Sequence, residues 1–231
     1  QVVRGYGTLE AGVRTVPFAL FTGFAAPISA KLAYRFGTKS VVAAGLASMS
    51  IGFAWTTTLQ AGSSYWLIVG QMMFMGGGLG LVNAPATEAI MGSLPPEKAG
   101  VGSAVNDTAR ELGGTLGVAI VGSLFASVYA SRLGELLAGS ALPPSALAIA
   151  QESVGAGAEV ARRTGLEAGP EAGRLVQGAV NTAFLDGFHF GSWVSAGITL
   201  AGAAMAIRWL PSRAAASSSV AAQEDRTDAL V

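Results

Sequence analysis

The sequence predicts an all-α membrane protein with five transmembrane helices, a long external loop and a disordered cytoplasmic tail. Three observations carry this. Of the 231 residues 51% are hydrophobic and 12% charged, against about 25% charged in an ordinary soluble domain. From Ser40 to Thr87 no residue is charged, 48 in a row, whereas one bilayer crossing takes about 20 residues at 1.5 Å each. A soluble bundle would also need a charged outer face on every helix, and the second and third apolar segments have none.

Taken in order, the spans are Val13–Ala33, Val41–Leu59, Tyr65–Gly92, Leu112–Ser131 and residues 187–210. All are read as α, because backbone in hydrocarbon must satisfy its own hydrogen bonds. "QAGSS", Gln60 to Ser64, supplies the turn between the second and third. The 55 residues from Arg132 to Asp186 form the external loop, broken by "LPPS" and "AGP". Those breaks predict short interfacial helices rather than a domain with its own core. Leu175, Val176, Ala179, Val180, Ala183 and Phe184 recur with helical period, so one such helix leads into the last span, with Gly187 as the break between them. Residues 211–231, "PSRAAASSSVAAQEDRTDALV", have little to bury and read as a disordered tail.

Orientation follows from Lys and Arg, which cytoplasmic loops retain. Lys31, Arg35, Lys39, Lys98, Arg110, Arg208 and Arg213 fall on one side. That places the start of the chain outside the cell membrane and its C-terminus in the cytoplasm. The chain opens at Gln1 without a signal-peptide pattern, and reads as a piece of a longer one.

Composition also narrows the chemistry. Fourteen basic and fourteen acidic residues cancel, which argues against a nucleic-acid partner and leaves membrane lipid as the surrounding medium. With no cysteine and His189 as the single histidine, no cysteine or histidine metal cluster can form, and no cofactor or catalytic constellation is expected.

The candidate functional residues lie near the cytoplasmic ends of the spans. "AKLAYRFGTKS", Ala30 to Ser40, joins the first two helices. Gly37 permits a tight turn there, and Arg35 and Lys39 can hold it to lipid phosphate or to neighbouring acids. "SAVNDTARELGGTLGVAIVG", Ser103 to Gly122, gathers Asn106, Asp107, Arg110 and Glu111 into six residues. Helical spacing puts Asp107 on one face with Arg110 and Glu111. Two readings stay open for this stretch: helix capping with snorkelling, or a gate in which Arg110 pairs with an acid in one conformational state.

Gly76 and Gly80, and Gly113 and Gly117, have GxxxG spacing and read as helix packing, not as phosphate loops. Asn83, Thr87 and Glu88 are the polar residues of the third span's inner half. Buried polarity in lipid makes them candidates for a substrate path, Asn83 before the others. Glu88 is also placed to pair with Lys98. His189 beside Trp193 reads as an interfacial residue rather than a proton relay.

Two resemblances attach to these residues. Ala30 to Lys39 is similar to the Gly-x-x-x-Asp-Arg-x-Gly-Arg-Arg/Lys motif of the major facilitator superfamily. Arg35, Gly37 and Lys39 match, while Ala30, Tyr34 and Thr38 stand for Gly, Asp and Arg. "GTLEAGVRTVPFAL", "PPEKAGVGSAVNDTARELGGTLGVAIVG" and "DGFHFGSWVSAG" resemble the C-terminal part of that superfamily's fourteen-helix drug:proton antiporter branch. The resemblance implies five helices of a major facilitator C-terminal half, with about nine more helices upstream. It further implies a small hydrophobic substrate and a proton as partners of the full-length protein, and efflux by alternating access. An exporter of a metabolite and a non-transporting membrane fragment or scaffold remain as alternatives.

Overall fold

The computed structural model describes residues 5–60 and 62–210, and the expected tail, 211–231, lies outside the described residues. The described residues form seven α-helices and no strand. They are α1 (Thr8–Phe36), α2 (Thr38–Thr56), α3 (Tyr65–Met91), α4 (Ala99–Leu136), α5 (Pro144–Glu152), α6 (Val154–Glu167) and α7 (Pro170–Trp209), with one 3-10 turn at Pro96–Lys98. Four of them, α1, α3, α4 and α7, are long and apolar enough to cross a membrane. The five-helix expectation adds α2. Its 19 residues reach about 28 Å at 1.5 Å per residue, near the hydrocarbon thickness of about 30 Å. Lys39, Ser40, Ser48 and Ser50 lower its apolar character.

The chain divides into two compact units. One comprises Val16–Phe53, Val69–Thr115 and the segment from Ala196. Here α2 packs on both α3 and α7. Val42 and Ala43 bury with Ala206, flanked by Leu46, Val82 and Leu210. The α2 hydroxyls are satisfied by the same neighbours: Ser48 Oγ donates to the Phe74 carbonyl at 2.8 Å and Ser50 Oγ to that of Ala196 at 2.9 Å. A helix whose hydroxyls are paired this way carries them into an apolar bundle at little cost.

The other unit comprises Leu116–Ser195 together with residues up to Thr15 and Ala54–Ile68. Its core joins Tyr129 and Leu133 of α4, and Leu137 just after it, to Ala150 of α5, Val160 and Ala161 of α6, and Val176, Val180 and Ala183 of α7. The Tyr129 hydroxyl donates to the Ala150 carbonyl at 3.0 Å and the Ser153 carbonyl at 3.4 Å. Ser153 in turn caps α6, its Oγ accepting from the Ala156 amide at 3.1 Å. Arg132 Nε donates to Asp186 Oδ2 at 2.9 Å, tying α4 to α7.

Three expectations are corrected here. The segment after residue 131 is packed into a core that it shares with Tyr129 of α4, and its Ala and Gly residues allow close approach. A Cβ on Gly173 would stand 2.6 Å from the Gly165 Cα. Gly187 is no break, since α7 runs unbroken from Pro170 to Trp209. Its small size serves packing: a Cβ there would meet the Phe125 ring at 3.0 Å and the Phe125 carbonyl oxygen at 3.1 Å. Finally α4 starts at Ala99, not at Leu112. Charge ends the apolar stretch that lipid can hold, but Asp, Arg and Glu continue a helix without difficulty.

Candidate gate and substrate path

Gly37 separates α1 from α2 and has φ +87°, a left-handed conformation that glycine adopts without a Cβ clash. Its amide donates to the Ala33 carbonyl at 2.9 Å, and its own carbonyl accepts from the Val41 amide at 3.3 Å. The chain therefore leaves one helix and enters the next within a single residue. Arg35 is exposed and lies 5.4 Å from the centre of the Phe36 ring, while Lys39 is half-buried in the first turn of α2.

The stretch expected at the lip of the fourth span lies within the first four turns of α4. Asn106 is buried, and its amide donates to Asp107 Oδ1 at 3.4 Å. Asp107, Arg110 and Glu111 are exposed. Among the described residues none of the three is in an ion pair, and none joins Arg35 or Lys39. Apart from the Asn106 contact to Asp107, these charges have no ion-pair partner among the described residues, on a helix that is itself little covered. Val101, Val105, Leu112, Leu116, Val118 and Ile120 of α4 are all exposed. An apolar surface of this extent is a contact face for lipid or for other helices.

The two glycine pairs behave differently. Gly76 and Gly80 lie where α3 meets α1: a Cβ on either would stand 2.5 Å from a carbonyl oxygen, of Phe18 and Thr22 respectively. Gly78, which the GxxxG spacing passes over, makes the matching approach to α2, 2.5 Å from the Gly45 carbonyl oxygen. By contrast a Cβ on Gly113 or Gly117 would meet nothing within 4 Å among the described residues.

Asn83 is half-buried and its carbonyl accepts from Thr87 Oγ1 at 3.0 Å, beside the fully buried Pro85. Glu88 is exposed and, among the described residues, forms no ion pair with Lys98. His189 Nε2 lies 2.8 Å from the Leu59 carbonyl oxygen, holding α7 to the turn that follows α2.

A further cluster was not singled out from the sequence. Arg14, inside the first expected span, is hydrogen-bonded to Glu10 Oε1 and lies over the rings of Tyr6 and Tyr65. The Glu10–Arg14 spacing of four was the available signal. The two rings come from outside α1's own periodicity, which no local pattern reveals.

The Major Facilitator Superfamily model matches residues 1–118. Among curated proteins, the multidrug efflux pump LfrA of Mycolicibacterium smegmatis is 32% identical over 70% of this chain and 31% of its own length. The methyl viologen resistance protein SmvA of Salmonella typhimurium is 30% identical over 80% of this chain and 36% of its own. The tetracenomycin C resistance and export protein of Streptomyces glaucescens is 28% identical over 90% and 38%. The chain spans about a third of the length of these relatives.

Proposed function

The chain belongs to the major facilitator superfamily, and from that premise we propose that it is the C-terminal part of a multidrug efflux transporter of the fourteen-helix branch. The observation that carries this is the breadth of the similarity. Relatives named for multidrug efflux and for methyl viologen resistance align with 70% and 80% of the chain. In this reading the multi-pass membrane protein carries hydrophobic, drug-like compounds out of the cell in exchange for protons. Upstream helices complete the path, and the two halves rock about a site near the midplane.

The residues take roles accordingly. Arg35, Gly37 and Lys39 form a tight basic turn on the cytoplasmic side, and Asn106, Asp107, Arg110 and Glu111 the lip of the gate. Charges without an ion-pair partner on an exposed helix support a gate, because they can pair with a partner half in one state and separate in the other. Asn83, Thr87 and Glu88 line the inner part of the path, with Pro85 between them. Gly76 and Gly80 let α3 rest directly on α1, a contact of backbone on backbone that allows small sliding movements.

The test is efflux from everted vesicles carrying the full-length protein, with ethidium and methyl viologen as substrates. Outward-directed transport in the cell corresponds to uptake into such vesicles, and collapsing the proton gradient should abolish it. Proper insertion with no transport of either compound would refute the reading. A second reading, export of a single metabolite, is favoured by the relative named for tetracenomycin C resistance and export. A substrate panel separates the two, since a single-compound exporter would move one member only.

A further inference from the structure

The ends of three helices come together in the unit that contains Gly37. Here α1 finishes at Phe36 and α2 begins at Thr38, so Arg35 and Lys39 stand on either side of a one-residue turn. The C-terminal end of α7 arrives at the same place. Ala206 buries with Val42 and Ala43, while towards the other end of α2 the Ser50 hydroxyl donates to the Ala196 carbonyl at 2.9 Å. Those two contacts make α2 and α7 antiparallel. Lys39 precedes Val42 and Arg208 follows Ala206, so both cations stand about 3–5 Å beyond the buried contact, on the same side of it.

This end carries one sign of charge. Residues 16–53 and 196–210 hold Lys31, Arg35, Lys39 and Arg208 and no acidic residue. Among the described residues none of the four is in an ion pair, with the acids of α3 and α4 or with any other. Arg35 and Arg208 lie in the last turns of their helices, where the helix dipole favours a cation. Lys39 has no such support. It is half-buried in the first turn of α2, the end at which the dipole opposes a positive charge and favours an anion.

What lies beside the cations points to the kind of anion. Phe24, Ile28, Lys31 and Arg35 follow one another on α1 at spacings of four, three and four, and all are exposed. One face of that helix therefore changes from apolar to basic along its length, the profile of an acyl chain followed by a headgroup. Tyr34 and Trp209 are 89% and 70% exposed at the same helix ends, and Tyr and Trp concentrate at headgroup level.

We propose that Lys31, Arg35, Lys39 and Arg208 hold the headgroup of an acidic glycerophospholipid, whose acyl chains lie along Phe24 and Ile28. Charge complementarity selects the acidic lipid. A zwitterionic headgroup brings its own cation to a place that already has four, whereas a net negative one neutralises Lys39 where no protein group among the described residues does. This goes beyond the transport reading, because lipid retention is measured without substrate or gradient. Either can fail while the other stands.

The experiment is native mass spectrometry of the full-length protein purified in detergent and titrated with phosphatidylglycerol. Phosphatidylcholine with the same chains and glycerol 3-phosphate, the headgroup fragment alone, serve as the other probes. Wild type should retain one more phosphatidylglycerol than the double variant Lys39→Gln, Arg208→Gln at equal lipid concentration, since each cation at an anionic surface contributes about fivefold in affinity. The two proteins should not differ with phosphatidylcholine or glycerol 3-phosphate. Arg163→Gln, the same change of charge on α6, should retain as much phosphatidylglycerol as wild type. Equal retention by wild type and the double variant, an equal loss of phosphatidylcholine, or an equal loss with Arg163→Gln would overturn the proposal and leave the cations as general positive surface. A difference as large with glycerol 3-phosphate would overturn it in favour of a site for soluble phosphate. Should the double variant fail to fold, Arg208→Gln, at an exposed helix end, decides: it should weaken phosphatidylglycerol binding about fivefold, and unchanged affinity would overturn the site.

Discussion

At the scale of the residue, the charges that matter differ in how they are held. Arg110 stands exposed and without an ion-pair partner among the described residues. If it closes a gate against a partner half, Arg110→Ala in the full-length protein should cut transport about tenfold, equivalent to roughly 1.4 kcal/mol, while membrane insertion is unchanged. Uptake assays alongside surface labelling measure the two separately; unchanged uptake would return Arg110 to snorkelling. Glu159 is the opposite case, shared between Arg162 at 2.7 Å and 2.8 Å and Arg163 at 2.8 Å. Hydrogen bonds from Arg162 and then Arg163 hold its carboxyl down at about 2, against an ordinary 4.5. A lowered carboxylate contributes its stabilisation above the unfolded value, and that contribution fades as pH falls from about 4.5 through about 2. Carbon NMR of the Glu159 carboxyl should therefore show its midpoint near the bottom of this window. A midpoint near 4.5 would mean that the paired geometry is not kept in solution.

At the scale of the element, the four glycines of the two GxxxG pairs share a spacing but not a task. Gly76→Ala and Gly80→Ala place a methyl 2.5 Å from α1 carbonyl oxygens, so α1 and α3 must separate. Each should lower the melting temperature in detergent measurably, at a cost of about 1–3 kcal/mol. Gly113→Ala and Gly117→Ala meet nothing within 4 Å and should leave the melting temperature unchanged or raised, alanine being the better helix former by up to about 1 kcal/mol. The GxxxG pattern was legible in the sequence, but which pair would be occupied was not, because a pattern on one helix says nothing about the presence of another. The same holds for α5 and α6. Their breaks at the Pro-containing stretches could be read locally, whereas their seat on Tyr129 could not. Tyr129→Phe removes the hydroxyl that donates to the Ala150 and Ser153 carbonyls and should destabilise α5 and α6 by about 1–2 kcal/mol. Faster amide exchange confined to residues 144–167 would register this, and exchange at the wild-type rate would show the hydroxyl to be dispensable.

At the scale of the whole molecule, transport needs a path with two sides. The chain spans about a third of its relatives' length, 31% to 38% for the three compared. By itself it should insert and yet carry out no gradient-driven efflux, whereas the full-length protein should do both. Efflux by this chain alone would overturn the division of labour between halves. Its orientation is open to direct test: single cysteines at Ser64 and Ser218 should label from outside and from inside respectively, and the reverse pattern would invert the topology. Long helices complicate the picture that hydropathy paints. At 40 residues, α7 is about 60 Å long, about twice the hydrocarbon thickness, so half of it must lie in water or against protein. Hydropathy reads the solvent around a segment, not the continuity of its backbone hydrogen bonds, and for that reason the expected spans of α4 and α7 were shorter than the helices.

What the sequence by itself determined is the class of solvent and the class of element. Too few charges for water and apolar segments of bilayer length leave α-helix in lipid as the consistent solution, and these are properties of local composition. What only the tertiary structure decided is which surfaces meet. It set Gly76 and Gly80 against α1, left Gly113 and Gly117 open, gave the segment beyond α4 a core around Tyr129, and closed two tyrosine rings on Arg14. Each of these depends on residues far apart in the chain approaching to within a few ångströms. Packing and hydrogen bonding at that range are set by the partner as much as by the residue, so no local pattern could specify them.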